Sequence, residues 1–192
     1  MFQITAEIIG RQGYSAWSEE YLCELCECTR GALRYQFPQG RYDLLPAFIA
    51  SALDHDAAMM SAMSALTTRE RLYLILSSLR ERPPSEMTVA MLEIWMAARG
   101  DARLQEKIQP MMSGADGRLL GLPDGERDPE VLALFNILFG ISLSSVRDDF
   151  DPAALRASLD WLLAQLPVPP SLAEKRAALT RAREAKRFES AK

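Results

Sequence analysis

The chain has 192 residues, of which 48% are apolar and 25% charged, with a net charge of −4. That size suits one hydrophobic core or two small ones, and the composition excludes a disordered polyelectrolyte. No apolar run approaches the roughly 18–20 residues that a membrane-spanning helix needs.

Apolar residues recur at three- and four-residue steps along most of the chain, and no stretch alternates for long with period two. The pattern predicts an all-α fold. Ile4, Ile8 and Ile9 form the inner face of a first helix that stops near Gly13, a natural C-terminal cap. Ser18 is a good N-cap for a second helix, with Glu19 and Glu20 in its positive first turn. Thr29 caps a third in the same way, and Pro38 ends it. A long helix is expected from about Gly40 to about Leu66, with Pro46 inside its start as a possible kink. Thr68 is the expected cap of a helix through Leu72, Ile75, Leu76 and Leu79, broken by Pro83 and Pro84. Ser85 caps the next, which holds Met87, Met91, Leu92, Trp95 and Met96 and ends at Gly100. A further helix is expected from Asp101 to Leu120, bent at Pro110, followed by a turn-rich surface loop from Gly121 to Pro129. Glu130 to Arg147 reads as a helix apolar on more than one face, and Asp151-Pro152 opens the last core helix.

The run from Gly13 to Pro38 carries the most functional information. It reads as two short helices joined by a tight turn. The second opens at Thr29, has the small Gly31 early and the large Phe37 late. Leu22, Cys23, Cys26, Cys28, Leu33 and Phe37 supply the residues that lock the pair. Thr29, Arg30, Arg34, Tyr35 and Gln36 supply a polar outer face. That is the layout of a helix-turn-helix DNA reader. Against it, residues 1–45 contain four basic and six acidic residues, a net charge of −2 where DNA readers usually carry excess Lys and Arg.

These residues resemble the TetR family of one-component bacterial transcriptional regulators. The resemblance runs without a gap through Gly13-Tyr14, Ser18, Leu22-Cys23-Glu24, Thr29-Arg30-Gly31-Ala32-Leu33, Phe37-Pro38 and Leu44-Leu45. It implies an N-terminal three-helix helix-turn-helix domain followed by a helical ligand-binding and dimerisation domain. The corresponding segments are 1–45 and 46–170, with a basic C-terminal tail at 171–192. It further implies a homodimer bound to a double-stranded DNA operator. By matching position, Ser18 and Thr29 contact phosphate, Gly31 lets the backbone approach, and Arg30, Arg34, Tyr35 and Gln36 face the major groove. Glu27 stands where the family usually has a turn glycine, and Gly40 where a phosphate-binding lysine is frequent.

Three other constellations bear on function. Met59, Met63, Met87, Met91, Trp95 and Phe135 belong to an unusually Met-rich set, and Met is over-used at adaptable binding surfaces. They are the candidate lining of a pocket for a small apolar or amphipathic effector. Ile141, Leu143, Leu155, Leu159 and Leu162 are candidates for a dimer interface. Cys23, Cys26 and Cys28 are an odd, clustered set that suits a reducing cytoplasm rather than a secreted disulfide framework. They fill small core positions or, alternatively, form a soft-metal or oxidant sensor. No signal peptide is visible. His55 is the single histidine, and no nucleophile or phosphate-loop motif is present, so neither catalysis nor a cofactor is expected. The expected function is a repressor released from its operator by its effector. The alternatives are a scaffold of the same kind that has lost DNA reading and binds a ligand or protein, and a cysteine-based redox or metal sensor.

Overall fold

The structure, a computed structural model, describes residues 1–62, 66–113, 128–147, 149–169 and 171–172, with the backbone alone at 59–62. Among the described residues the secondary structure is helical, without strands. The elements are α1 (Phe2–Gln12), α2 (Glu19–Leu25), α3 (Arg30–Gln36), α4 (Arg41–Ala62), α5 (Thr68–Leu79), α6 (Glu86–Ala98), α7 (Ala102–Met112), α8 (Pro129–Ser144) and α9 (Pro152–Gln165). One turn of 3-10 helix at Tyr14–Ala16 separates α1 from α2.

The helix ends follow from side-chain caps. Ser18 Oγ accepts from the Tyr21 N–H (3.1 Å) and Thr29 Oγ1 from the Ala32 N–H (3.1 Å). Ser85 and Asp101 cap α6 and α7 in the same way. Asp128 and Asp151 each precede a proline in the first turn of α8 and α9. The cap of α5 is Thr67, one residue before the expected Thr68. The reason is Glu70, which stands three residues after Thr67 and accepts from the Thr67 N–H (2.7 Å), completing a reciprocal capping box. Glu70 is 4% exposed, and its other carboxylate oxygen accepts from the Ser171 hydroxyl, so this buried charge is hydrogen-bonded on both sides. Pro46 and Pro110 lie inside α4 and α7, each a single helix as far as Ala62 and Met112. The expected loop from Gly121 lies outside the described residues as far as residue 127, and so does the tail beyond residue 172.

Two apolar cores organise the helices. The first joins Ile8 and Ile9 of α1, Leu22 of α2, Leu33 of α3, and Leu44, Leu45, Phe48 and Ile49 of α4 to Ile94 of α6 and Leu104 and Ile108 of α7. The second joins Leu72 and Leu76 of α5 to Val131 and Leu134 of α8 and Leu159 of α9. The first three helices therefore share their core with α6 and α7, which follow residue 45. Helix α1 crosses closely over α6 at Gly10, where an added Cβ would lie 2.8 Å from the Glu86 carbonyl oxygen. Arg11 pairs with the Glu86 carboxylate beside this crossing, and the Tyr14 N–H donates to Glu93 (3.0 Å).

Candidate nucleic-acid interface

The turn between α2 and α3 is a Schellman closure. The Cys28 N–H donates to the Cys23 carbonyl (3.0 Å) and the Glu27 N–H to the Glu24 carbonyl (3.2 Å). This closure requires a left-handed residue, and Glu27 occupies it with φ 51°. For a non-glycine residue the conformation costs roughly 1–2 kcal/mol. In this motif the side chains at the Cys23 and Cys28 positions meet. Burial raises the pKa of the Cys23 thiol, and its hydrogen bond with the Cys28 thiol raises it further. Cys23 is buried in the first core, with Cys26 and Cys28 partly buried against it. Among the described residues no group of three His, Cys, Asp or Glu side chains is placed to hold a metal ion.

Helix α3 buries only Leu33 inside its span, with Phe37 just beyond it. Arg30, Gly31, Ala32, Arg34, Tyr35 and Gln36 are exposed. Tyr35 is 93% exposed, extreme for a large aromatic side chain. An added Cβ at Gly31 would meet nothing nearer than Thr29 Oγ1 at 3.7 Å, so the chain's own packing does not require glycine there. Ser18 and Thr29 are also exposed, with their hydroxyl oxygens already accepting cap hydrogen bonds.

Arg34 has a different environment from the one expected of a base reader. Its Nε and Nη2 form a fork on the Glu19 carboxylate (2.9 and 3.1 Å), and Nη1 donates to the Pro38 carbonyl (3.2 Å). The Glu19 side chain is 12% exposed and also accepts from the Arg41 N–H (3.0 Å) at the start of α4. Gly40, the residue before that start, has no side chain to cap the helix; Glu19 reaches across from α2 and does so. Gly40 is fixed twice over. Its φ is +58°, and a Cβ would overlap the Glu19 carboxylate and lie 2.8 Å from the Arg34 guanidinium carbon. Turning Arg34 towards a base would leave the Glu19 charge largely buried without its partner, which is costly. Arg34 is therefore a clamp between α2, α3 and α4.

An open cleft of about 500 Å³ lies beside this clamp, with Glu19, Arg34, Arg41 and Arg103 as its charged lining. Arg103 comes from α7, far along the chain. Its guanidinium sits 4.2 Å over the Tyr42 ring and donates to Gln39 Oε1 (2.7 Å). Lys107, one turn further along α7, pairs with Asp43 (3.5 Å). The charge around the α3–α4 turn is thus more positive than residues 1–45 alone supply. Local sequence pattern does not reveal this, because Arg103 and Gln39 are 64 residues apart.

The other candidate residues are dispersed. Met91 is buried in the first core, with Met87 and Trp95 packed against it, while Phe135 packs on the second core. Trp95 and Phe135 meet through Phe139, which lies 5.8 Å from Trp95 and 6.5 Å from Phe135 between ring centroids. Nothing is described of the Met59 side chain, and Met63 lies outside the described residues. A second cleft, of about 420 Å³, is lined by Met96 with Leu143, Val146 and Arg147 at the end of α8. Of the candidate interface residues, Leu143 is 39% exposed, and Ile141, Leu155 and Leu162 are half-buried. Leu159 is 1% exposed and packs within its own chain, so it supports the second core rather than a free face. Trp161, 68% exposed on α9, was not among the candidates; it sits two residues from Leu159 on a helix whose apolar residues outnumber the positions its own core covers.

No protein-family model, no curated protein and no solved structure matches the chain. Among the described residues no helix is long and apolar enough to cross a membrane.

Proposed function

We propose that the chain is a TetR-like transcriptional regulator, a homodimer that binds a palindromic operator and releases it on binding a small apolar or amphipathic effector. The observation that carries this reading is α3. A seven-residue helix held by Leu33 and Phe37 presents Arg30, Tyr35 and Gln36 outward, beside a glycine with open space around it. Arg30 has no carboxylate partner among the described residues. Arg pairs with guanine and Gln with adenine along the major-groove edge, and Gly31 admits close approach of a phosphate backbone. Arg34 is left out of the base-reading set because of its fork on Glu19.

The dimer part of the proposal rests on α8 and α9. Leu132, Leu143, Trp161 and Val168 are large apolar side chains at least 39% exposed, and all four lie on these helices or just after them. A second copy is the proposed cover for these side chains, since exposed large apolar groups on neighbouring elements suit a symmetric interface. The effector part rests on the cleft at Met96 and Leu143, one turn from the Trp95–Phe139–Phe135 aromatic group.

A second reading is favoured by the same clamp. With Arg34 occupied and residues 1–45 carrying six acidic groups against four basic ones, the scaffold serves as a ligand- or protein-binding module without an operator. Selection of sequences from a random double-stranded DNA pool separates the two. Enrichment of a palindrome supports the regulator, and recovery of unenriched DNA at low salt supports the module.

A further inference from the structure

The cleft beside the α3–α4 turn has the chemistry of an anion site. Its charged lining is three arginines and one glutamate. The glutamate is already occupied, since Glu19 accepts from both the Arg34 guanidinium and the Arg41 N–H. The other two arginines have no carboxylate partner among the described residues. Arg41 faces the Trp17 ring at 6.0 Å, and Arg103 is held by the Tyr42 ring and the Gln39 amide oxygen, all uncharged. A guanidinium has five N–H donors, and one hydrogen bond to Gln39 leaves most of those on Arg103 free for another acceptor. Stacking on Tyr42 also fixes its plane, which lowers the entropy lost when it binds a planar fork of oxygens.

We propose that this cleft receives a backbone phosphate of bound DNA, contacted by Arg41 from the start of α4 and by Arg103 from α7. The inference rests on the reading of α3 as the base-reading helix, because the cleft flanks the turn that leaves α3. It gives the acidic N-terminal segment a source of phosphate-binding charge outside itself. A phosphate contact from α7 takes the place of a side chain that Gly40 cannot carry, since any Cβ there would collide with Glu19.

The test compares the wild type with Arg103→Gln and Arg103→Lys on a selected operator and on unrelated DNA, across a range of salt. Glutamine keeps hydrogen bonding and removes charge; lysine keeps charge and removes the planar fork. The expected result for Arg103→Gln is a loss of on the order of tenfold at 0.1 M salt, of similar size on both DNAs. The slope of log affinity against log salt should fall by about 0.9 per protomer. Arg103→Lys should retain the slope. A wild type that binds its operator while Arg103→Gln keeps the full salt slope overturns the assignment and leaves the regulator reading intact. A wild type that enriches no DNA overturns the reading itself. Titration with inorganic phosphate in the absence of DNA gives a third arm. Saturable binding there that Arg103→Gln abolishes, with no change in DNA affinity, makes the cleft a site for a free phosphorylated ligand and overturns the DNA assignment.

Discussion

The two cores end in different surfaces. Around α1–α4, α6 and α7 several charged groups tie one helix to another: Glu19 with Arg34 and the Arg41 N–H, Asp43 with Lys107, Arg11 with Glu86. Glycines at positions 10 and 40 stand where a Cβ has no room. Around α8 and α9 the helices are apolar but only partly covered, leaving Trp161 68% exposed and Val168 44% exposed. Both regions expose large apolar side chains, Leu25 and Tyr35 in the first and Leu132, Leu143, Trp161 and Val168 in the second. In the proposed function the first region serves recognition and the second serves association.

The largest expected effect breaks the first region. Gly10→Val puts side-chain carbons against the Glu86 backbone, which cannot move as a flexible side chain would. The cost of such overpacking is about 1–3 kcal/mol, read as a fall in the denaturant midpoint, and an unchanged midpoint contradicts the close α1–α6 crossing. Next comes the second region. Trp161→Asp should weaken self-association by about 2 kcal/mol in sedimentation equilibrium while leaving monomer stability nearly unchanged. A variant that associates as the wild type does removes Trp161 from the interface.

A smaller effect sharpens the recognition side. Glu27→Gly relieves the left-handed residue in the Schellman turn and should stabilise the chain by roughly 1 kcal/mol. It also removes one negative charge near the proposed DNA face, so DNA affinity should rise. A destabilised Glu27→Gly protein would show that the glutamate side chain makes a contact that outweighs its backbone strain.

The smallest effect is a pH dependence. Burial raises the carboxyl pKa of Asp56 on α4, with the neighbouring His55 opposing the shift. A raised folded-state value favours the protonated form, so the folded chain binds more protons than the unfolded one. Stability from this group is therefore greatest at acid pH and declines as pH rises from about 4 through the raised value. Asp56→Asn should flatten that decline in thermal melts taken across the acid range, and an unaltered pH profile would count against burial of this carboxyl.

Local features were legible in the sequence, and distant pairings were not. Ser18, Thr29 and Ser85 cap helices as their residue types predict, because capping depends on a span of three residues. Thr67 took the place of Thr68 because Glu70 reciprocates at one spacing only. The outer face of α3 was readable from its polar residues, yet Arg34 alone could not be sorted from its neighbours. Its partner Glu19 lies in another helix, 15 residues away. Arg103 lay further beyond reach, since nothing in the run from Ala102 to Met112 marks one basic residue as facing the α3–α4 turn. Leu159 and Trp161 show the same limit on α9: both are apolar, and only the packing of α5 and α8 decides which one is covered.

In the proposed function the exposed face of α3 reads base sequence. The direct measurement is enrichment of double-stranded DNA from a random pool by the purified chain at low and moderate salt. The expected outcome is a palindromic motif whose binding weakens when Gln36 or Arg30 is replaced by Ala, by about 1–3 kcal/mol at single base positions. Absence of any enriched motif at low salt, or a motif indifferent to both replacements, contradicts it.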